Sequence, residues 1–242
     1  MMYSDYERPK ISATIFYYDR EYCRETAEKV IGIAEQFGLF PPSKIHADKL
    51  TQGRFRVYRP SMRDIAVKAY SEKNVFSVFW ELPNIKEETD SFTFEWTFTF
   101  YKSRHLRVEP SFKPWNTLTL MASYGWLRDE ANYSNYLAAF KSFICALKPF
   151  YANIDDVAQE VSLLQEVHAP HFVPDKIQQI YWGNYWSGDF QRQIDSFCAQ
   201  KYPVSCFEKI ENGIFFTLSD SLLDFDSEKV NKLRKQIYSQ IR

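Results

Sequence analysis

His168-Ala-Pro-His171 sets two imidazoles three positions apart, a spacing that zinc sites use. A zinc centre needs three or four ligands, however. Pro170 breaks any helical face between the two, and no Cys or carboxylate cluster adjoins them in sequence. The pair reads as a solvated loop, and no metal or other cofactor is expected. His46 and His105 stand alone. Either becomes a general base if the fold brings it a carboxylate or a Cys, because triads assemble from distant segments.

Asp155-Asp156, Glu87-Glu88 and the pair Asp224 and Asp226 are the acidic clusters. Paired carboxylates do acid–base work when their surroundings split their pKa values. On polar, turn-like segments they are solvated, or they serve as docking charges for a basic protein partner. Arg54, Arg56, Arg59 and Arg63 interleave with Phe55, Val57 and Tyr58. That pattern can stack single-stranded nucleic acid. A net charge of -1 argues against it, and a solvated strand face is the expectation. Only seven glycines occur, and none falls in a phosphate-cradling loop or a nucleophile elbow. No catalytic residue is assigned, and a non-enzymatic role is expected.

The elements that would position these groups are legible from periodicity. Ile11 to Tyr18 is rich in β-branched and aromatic residues and predicts a strand. Glu21 to Phe37 predicts a helix with Cys23, Ala27, Val30, Ile31, Ala34 and Phe37 on its apolar face. Phe55 to Tyr58 predicts a short strand, and Ser61 caps a helix over 62–72. Ser91 to Tyr101 alternates strictly, with Phe92, Phe94, Trp96, Phe98 and Phe100 on one face. Val75 to Leu82 and Trp115 to Tyr124 are its expected neighbours, with a hairpin loop over Pro83 to Asp90. Asp129 to Lys148 predicts the longest helix, stopped by Pro149. Its stripe is Tyr133, Tyr136, Leu137, Phe140, Ile144 and Leu147. Asn153 to Glu160 reads as a short helix. After Pro170 to Pro174 the order is strand (Ile177 to Trp186), helix (Phe190 to Gln200), strand (Phe207 to Leu218) and helix (Ser227 to Ile241). Glu211-Asn212-Gly213 marks a tight turn or bulge.

The fold class is therefore α+β: an antiparallel, aromatic-rich sheet covered by amphipathic helices, with a C-terminal β-α-β-α subregion. One domain over 1–242 is expected, with that subregion at 174–242. No window approaches a membrane span, and Met1 to Lys10 carries no apolar leader segment. Cys23, Cys145, Cys198 and Cys206 are widely spaced, which predicts reduced, mostly buried thiols in a cytoplasmic protein.

Tyr181-Trp182-Gly183-Asn184-Tyr185-Trp186 is the most unusual string, followed by Ser187-Gly188-Asp189. On a strand, Tyr181, Gly183 and Tyr185 face one way, and Trp182, Asn184 and Trp186 the other. One set joins the core. The other is either further core or a surface that meets a partner, since Trp and Tyr dominate binding hot spots. Ile180 to Asp189, together with Phe207-Glu-Lys-Ile-Glu-Asn-Gly-Ile-Phe-Phe-Thr-Leu-Ser219, resembles the bacterial immunity protein 52 family. Trp182 and Asn184 occupy that family's W-x-N-aromatic strand, while Asn212-Gly213 stands where it carries Gly-Gly. The similarity covers about the last quarter of the chain.

The resemblance implies a protein that neutralises a cognate toxin of a type VI or related secretion system, commonly a nuclease acting in the cytoplasm. It would do so by occluding or distorting the toxin's active site. The implied partner is that toxin, with no direct contact to nucleic acid or membrane; a homodimer is compatible. The expected partner contacts are Tyr181, Trp182, Tyr185, Trp186 and Asp189, with Glu87, Glu88 and Asp90 of the acidic loop. A small-molecule sensor lined by Trp and Tyr, or an enzyme built around His46, His105 or His171, are the alternative readings.

Overall fold

The computed structural model describes residues 10–18, 24–37, 44–49, 56–58, 67, 75–81, 85–87, 90–92, 95–100, 116–157, 177 and 179–241. The chain divides into two compact units, Thr14–Lys148 and the combination of Met1–Ala13 with Pro149–Arg242. The strand β1 (Lys10–Tyr17) contributes residues to both.

In the Thr14–Lys148 unit the strands are β2 (Lys44–Lys49), β3 (Arg56–Tyr58), β4 (Val75–Glu81), β7 (Glu95–Phe100) and β8 (Asn116–Ser123). A separate small hairpin joins β5 (Ile85–Glu87) to β6 (Asp90–Phe92). The sheet order is Thr14–Tyr17 of β1, then β8, β7, β4, β2 and β3. The β4–β7 and β7–β8 pairs are antiparallel, with Trp80 opposite Trp96 and Trp96 opposite Leu120. Of the expected eleven-residue strand Ser91 to Tyr101, the described residues belong to β6 and β7. The first pairs within the acidic hairpin and the second within the sheet, so the alternation spans two pairing partners. β2 was not anticipated; the Lys and Asp residues of Lys44–Lys49 mask its pattern.

Helix α1 (Arg24–Gln36) buries Ala27, Val30, Ile31 and Ala34, as the periodicity requires. A short helix, α2 (Tyr124–Leu127), follows β8. Helix α3 (Glu130–Leu147) begins where Asp129 accepts from the Asn132 N–H at 2.9 Å. It ends at Lys148, whose φ of 46° turns the chain into Pro149. Its buried face is Tyr136, Ala139, Phe140, Phe143, Ile144 and Leu147. Tyr136 donates to the Leu120 carbonyl at 3.1 Å, which sets α3 over β8. The helix expected over 62–72 lies outside the described residues apart from Val67, which is helical and buried.

The second unit holds β9 (Tyr151–Asp156), β10 (Gly183–Trp186), β11 (Cys206–Ile210) and β12 (Gly213–Thr217). Their order is β11-β12-β10-β9, with Lys10–Ala13 beside β9. All three pairs among these four strands are antiparallel. Helices α4 (Gln191–Gln200) and α5 (Glu228–Ile241) complete the unit, joined where the Ser196 hydroxyl donates to the Gln240 carbonyl. The sequence reading sets a subregion at 174–242. The compact unit instead starts at Pro149, because Tyr151–Asp156 is a strand paired with β10 and not a helix. The expected strand Phe207 to Leu218 is the hairpin β11–β12, turned at Glu211 (φ 52°) and Asn212.

Candidate functional site

The string around Trp182 and the polar groups that anchor it form a buried cluster in the second unit. Asn184 folds its amide back onto Tyr181, accepting from the Tyr181 N–H at 3.0 Å and donating to its carbonyl at 2.8 Å. A side chain thus takes the place of a strand neighbour for Tyr181. This is why β10 begins at Gly183 and not at Ile177.

Trp182 is tied at three points. Its N–H donates to Asp155 Oδ2 at 3.1 Å, its carbonyl accepts from Leu218 N at 2.9 Å, and its indole N–H donates to Ser219 Oγ at 2.8 Å. The Ser219 hydroxyl in turn donates to the Ser221 carbonyl at 2.8 Å. The loop after β12 is therefore braced from beneath by a core tryptophan. Trp186 lies edge-on to Phe197 of α4 and Phe216 of β12, with centroids 5.5 Å and 4.9 Å away. Phe197 stacks on Phe216 at 4.4 Å. Tyr185 is wedged beside Gly213, where any Cβ would stand 2.8 Å from its ring and collide with the Trp186 carbonyl.

Asp155 is fully buried and meets Arg234 of α5, itself nearly buried, at 2.9 Å. The carboxylate also accepts from the Asp156 and Trp182 N–H groups. Burial pushes the Asp155 carboxyl up to about 6, against the opposing pull of Arg234 and those two N–H donors; the neighbouring Asp156 charge adds a little to the rise. Arg234 donates further to Asn231 Oδ1 at 2.9 Å and to the Phe225 carbonyl at 3.4 Å. Asn231 in turn holds Asp226 through its carbonyl and its carboxylate. One chain of contacts therefore runs from the strand residue Asp155 to the loop ahead of α5. A carboxylate closed in by a guanidinium and two amides is a clamp between strand and helix, suited to holding position and not to proton transfer.

Tyr181, Trp182, Tyr185 and Trp186 are all buried, the last three to 0% exposure. The expectation that one set of these rings faces a partner is corrected. Sheet faces on both sides of β10 are covered, so both parities are core. Asp189 is exposed, on the short 3-10 turn Gly188–Phe190. Glu87 pairs with Asp90 across the β5–β6 hairpin by its backbone. The side chains of Glu87 and Asp90, and Glu88 altogether, lie outside the described residues. Asp155 and Asp156 are buried on a strand, not solvated on a turn. Cys145 and Cys198 are exposed and Cys206 is half-buried, so the described thiols are not buried as the sequence reading expects.

His46 lies on β2, while His105, His168 and His171 fall outside the described residues. Of the arginine cluster, Arg56 alone is placed, on β3. No group of three or more His, Cys, Asp or Glu side chains suited to a metal ion occurs among the described residues. Among those residues no helix is long and apolar enough to cross a membrane. Arg234 and Ser219 were missed in the sequence. Arg234 sits in no motif and Ser219 only ends the Phe207–Ser219 string, and each is linked to its partner only by the fold.

No protein-family model matches the chain, so its likeness to immunity protein 52 rests on the residue strings. No curated protein matches it either. Among solved structures the fold resembles the Pseudomonas aeruginosa T6SS protein PA0821. The TM-score is 0.63 at 14% identity, over 95% of this chain and 73% of that one. At that identity the likeness is one of fold: an α+β chain with an aromatic-rich antiparallel sheet.

Proposed function

We propose that this chain is an immunity protein: a binder that neutralises a toxin delivered by a type VI or related secretion system. The toxin is a nuclease acting in the cytoplasm, and inhibition is by covering its active site. The observation that carries this reading is the fold shared with a type VI secretion protein along 95% of the chain. The Trp182 and Asn184 string supports it from the sequence side. Those residues are framework, so the toxin is met by groups outside the buried string.

Exposed Leu223 stands on a loop with exposed Asp220, Asp224 and Asp226, next to exposed Glu228 at the start of α5, and Trp182 and Arg234 hold that loop from below. A fixed, acidic surface suits a cationic protein that handles nucleic acid, because complementary potential speeds encounter and rejects wrong partners. The test is co-purification of the tagged chain with the product of the adjacent gene, followed by a nuclease assay on that product. A stable complex with the nuclease silenced supports the reading. Free, unassociated proteins, or a complex with full nuclease activity, overturn it.

A further inference from the structure

β11 is the outermost strand of its unit. Ile210 and Gly213 flank a two-residue turn and form its closing hydrogen-bonded pair. By alternation Glu208 and Cys206 also bond toward β12, so the backbone groups of Phe207 and Lys209 point away from it. Phe207 is 44% exposed, the more exposed of two large apolar side chains that stand out in this way among the described residues, and its ring is near-parallel to that of Phe197 with centroids 6.2 Å apart. Lys209 is exposed at the turn end of the strand. At the other end Ser205 hydrogen-bonds to the carboxylate of exposed Asp220.

We propose that β11 is a self-pairing edge, by which two copies of this chain join antiparallel with Phe207 opposite Phe207. The charges choose this register. It sets Lys209 of each copy level with Ser205 and its bound Asp220 on the other, so two opposite-charge contacts form about the twofold axis. Shifting the pairing one step toward the turn sets Glu208 against Glu208, and a further step sets Lys209 against Lys209. Like charges directly opposite destabilise a strand pair. The two Phe207 residues exchange both backbone bonds and bring two exposed rings together, extending the Phe197–Phe207 stack across the axis.

An open edge of this kind is ordinarily blunted by a lysine. Here Asp220 converts that lysine into a contact with the second copy. Pro203 ahead of the strand and the Ser205 N–H, turned inward to the Thr217 carbonyl at 2.9 Å, keep the pairing short. The contact is isologous, which closes a dimer and leaves no β11 edge free to propagate. One short strand is a small interface, so the dimer is concentration-dependent. This inference does not depend on the immunity reading.

Sedimentation equilibrium of the purified full chain, run up to its solubility limit, tests it. The expected result is a mass rising toward twice the monomer. Lys209→Glu is expected to weaken dimerisation about tenfold or more, and Lys209→Glu with Asp220→Lys to restore it. Phe207→Lys is expected to leave a monomer with an unchanged circular dichroism spectrum. A chain that stays monomeric at every concentration overturns the proposal. So does a dimer indifferent to Phe207→Lys and Lys209→Glu.

Discussion

Arg234 Nη2 lies 2.9 Å from Asp155 Oδ2, a contact that joins α5 to β9 across 79 residues of sequence with both side chains buried. The pair stands where β10 begins, on the same carboxylate oxygen that takes the Trp182 N–H. Removing either partner strands a charge or a donor in the core. Arg234→Leu is expected to cost about 3–5 kcal/mol, and Asp155→Leu with Arg234→Leu to recover little of it, because the buried Trp182 and Asp156 N–H groups then lose their acceptor. Urea denaturation of the two variants measures this.

The pH dependence of stability follows from the same carboxyl. Its folded value of about 6 lies above the ordinary 3.8. Between those values the folded chain holds a proton that the unfolded chain does not. The contribution is fully present below the ordinary value and is lost as pH rises through about 6. Relative to Asp155→Asn, wild type should therefore gain stability on acidification from pH 7, with a slope approaching about 1.4 kcal/mol per pH unit. Parallel melting-temperature curves for the two proteins over this window would contradict that assignment.

Gly213 and Gly188 should respond differently to alanine. A Cβ at Gly213 collides with the Trp186 carbonyl and with the Tyr185 ring, whereas at Gly188 it comes within 3.4 Å of the Asn212 carbonyl. Gly213→Ala is expected to lower stability by about 2 kcal/mol or more, and Gly188→Ala by well under half of that. Equal losses in thermal unfolding would show that the Tyr185–Gly213 contact is not the constraint described.

Trp182→Phe removes the indole donor to Ser219 and leaves part of the buried indole's volume unfilled. The expected cost is about 2 kcal/mol. The diagnostic change is local: amide hydrogen exchange over residues 219–227 should accelerate more than that of β9. Uniform acceleration through the unit would mean that Trp182 supports the core without bracing the loop.

Much of the fold is legible in the order of the residues. Asp129 and Pro149 bracket α3 to within a residue, since a cap and a breaker act locally. Glu211-Asn212-Gly213 announces the β11–β12 turn for the same reason. The errors share a different cause. Tyr151–Asp156 is buried at every position, so no alternation reveals the strand, and its Asp155 is matched by Trp182 and Arg234 far along the chain. Likewise the parity of Tyr181 to Trp186 is readable, but burial on both faces is not. A ring that anchors a core and one that anchors a partner look identical in sequence. The site reading failed there, because local pattern does not report which of two sheet faces is covered.

Growth of a host expressing the adjacent gene's product, with and without this chain, tests the immunity reading most directly. The account predicts that the product alone arrests growth with degraded nucleic acid, and that co-expression restores growth through a stable complex. A harmless product, or arrest that this chain does not relieve, would contradict it.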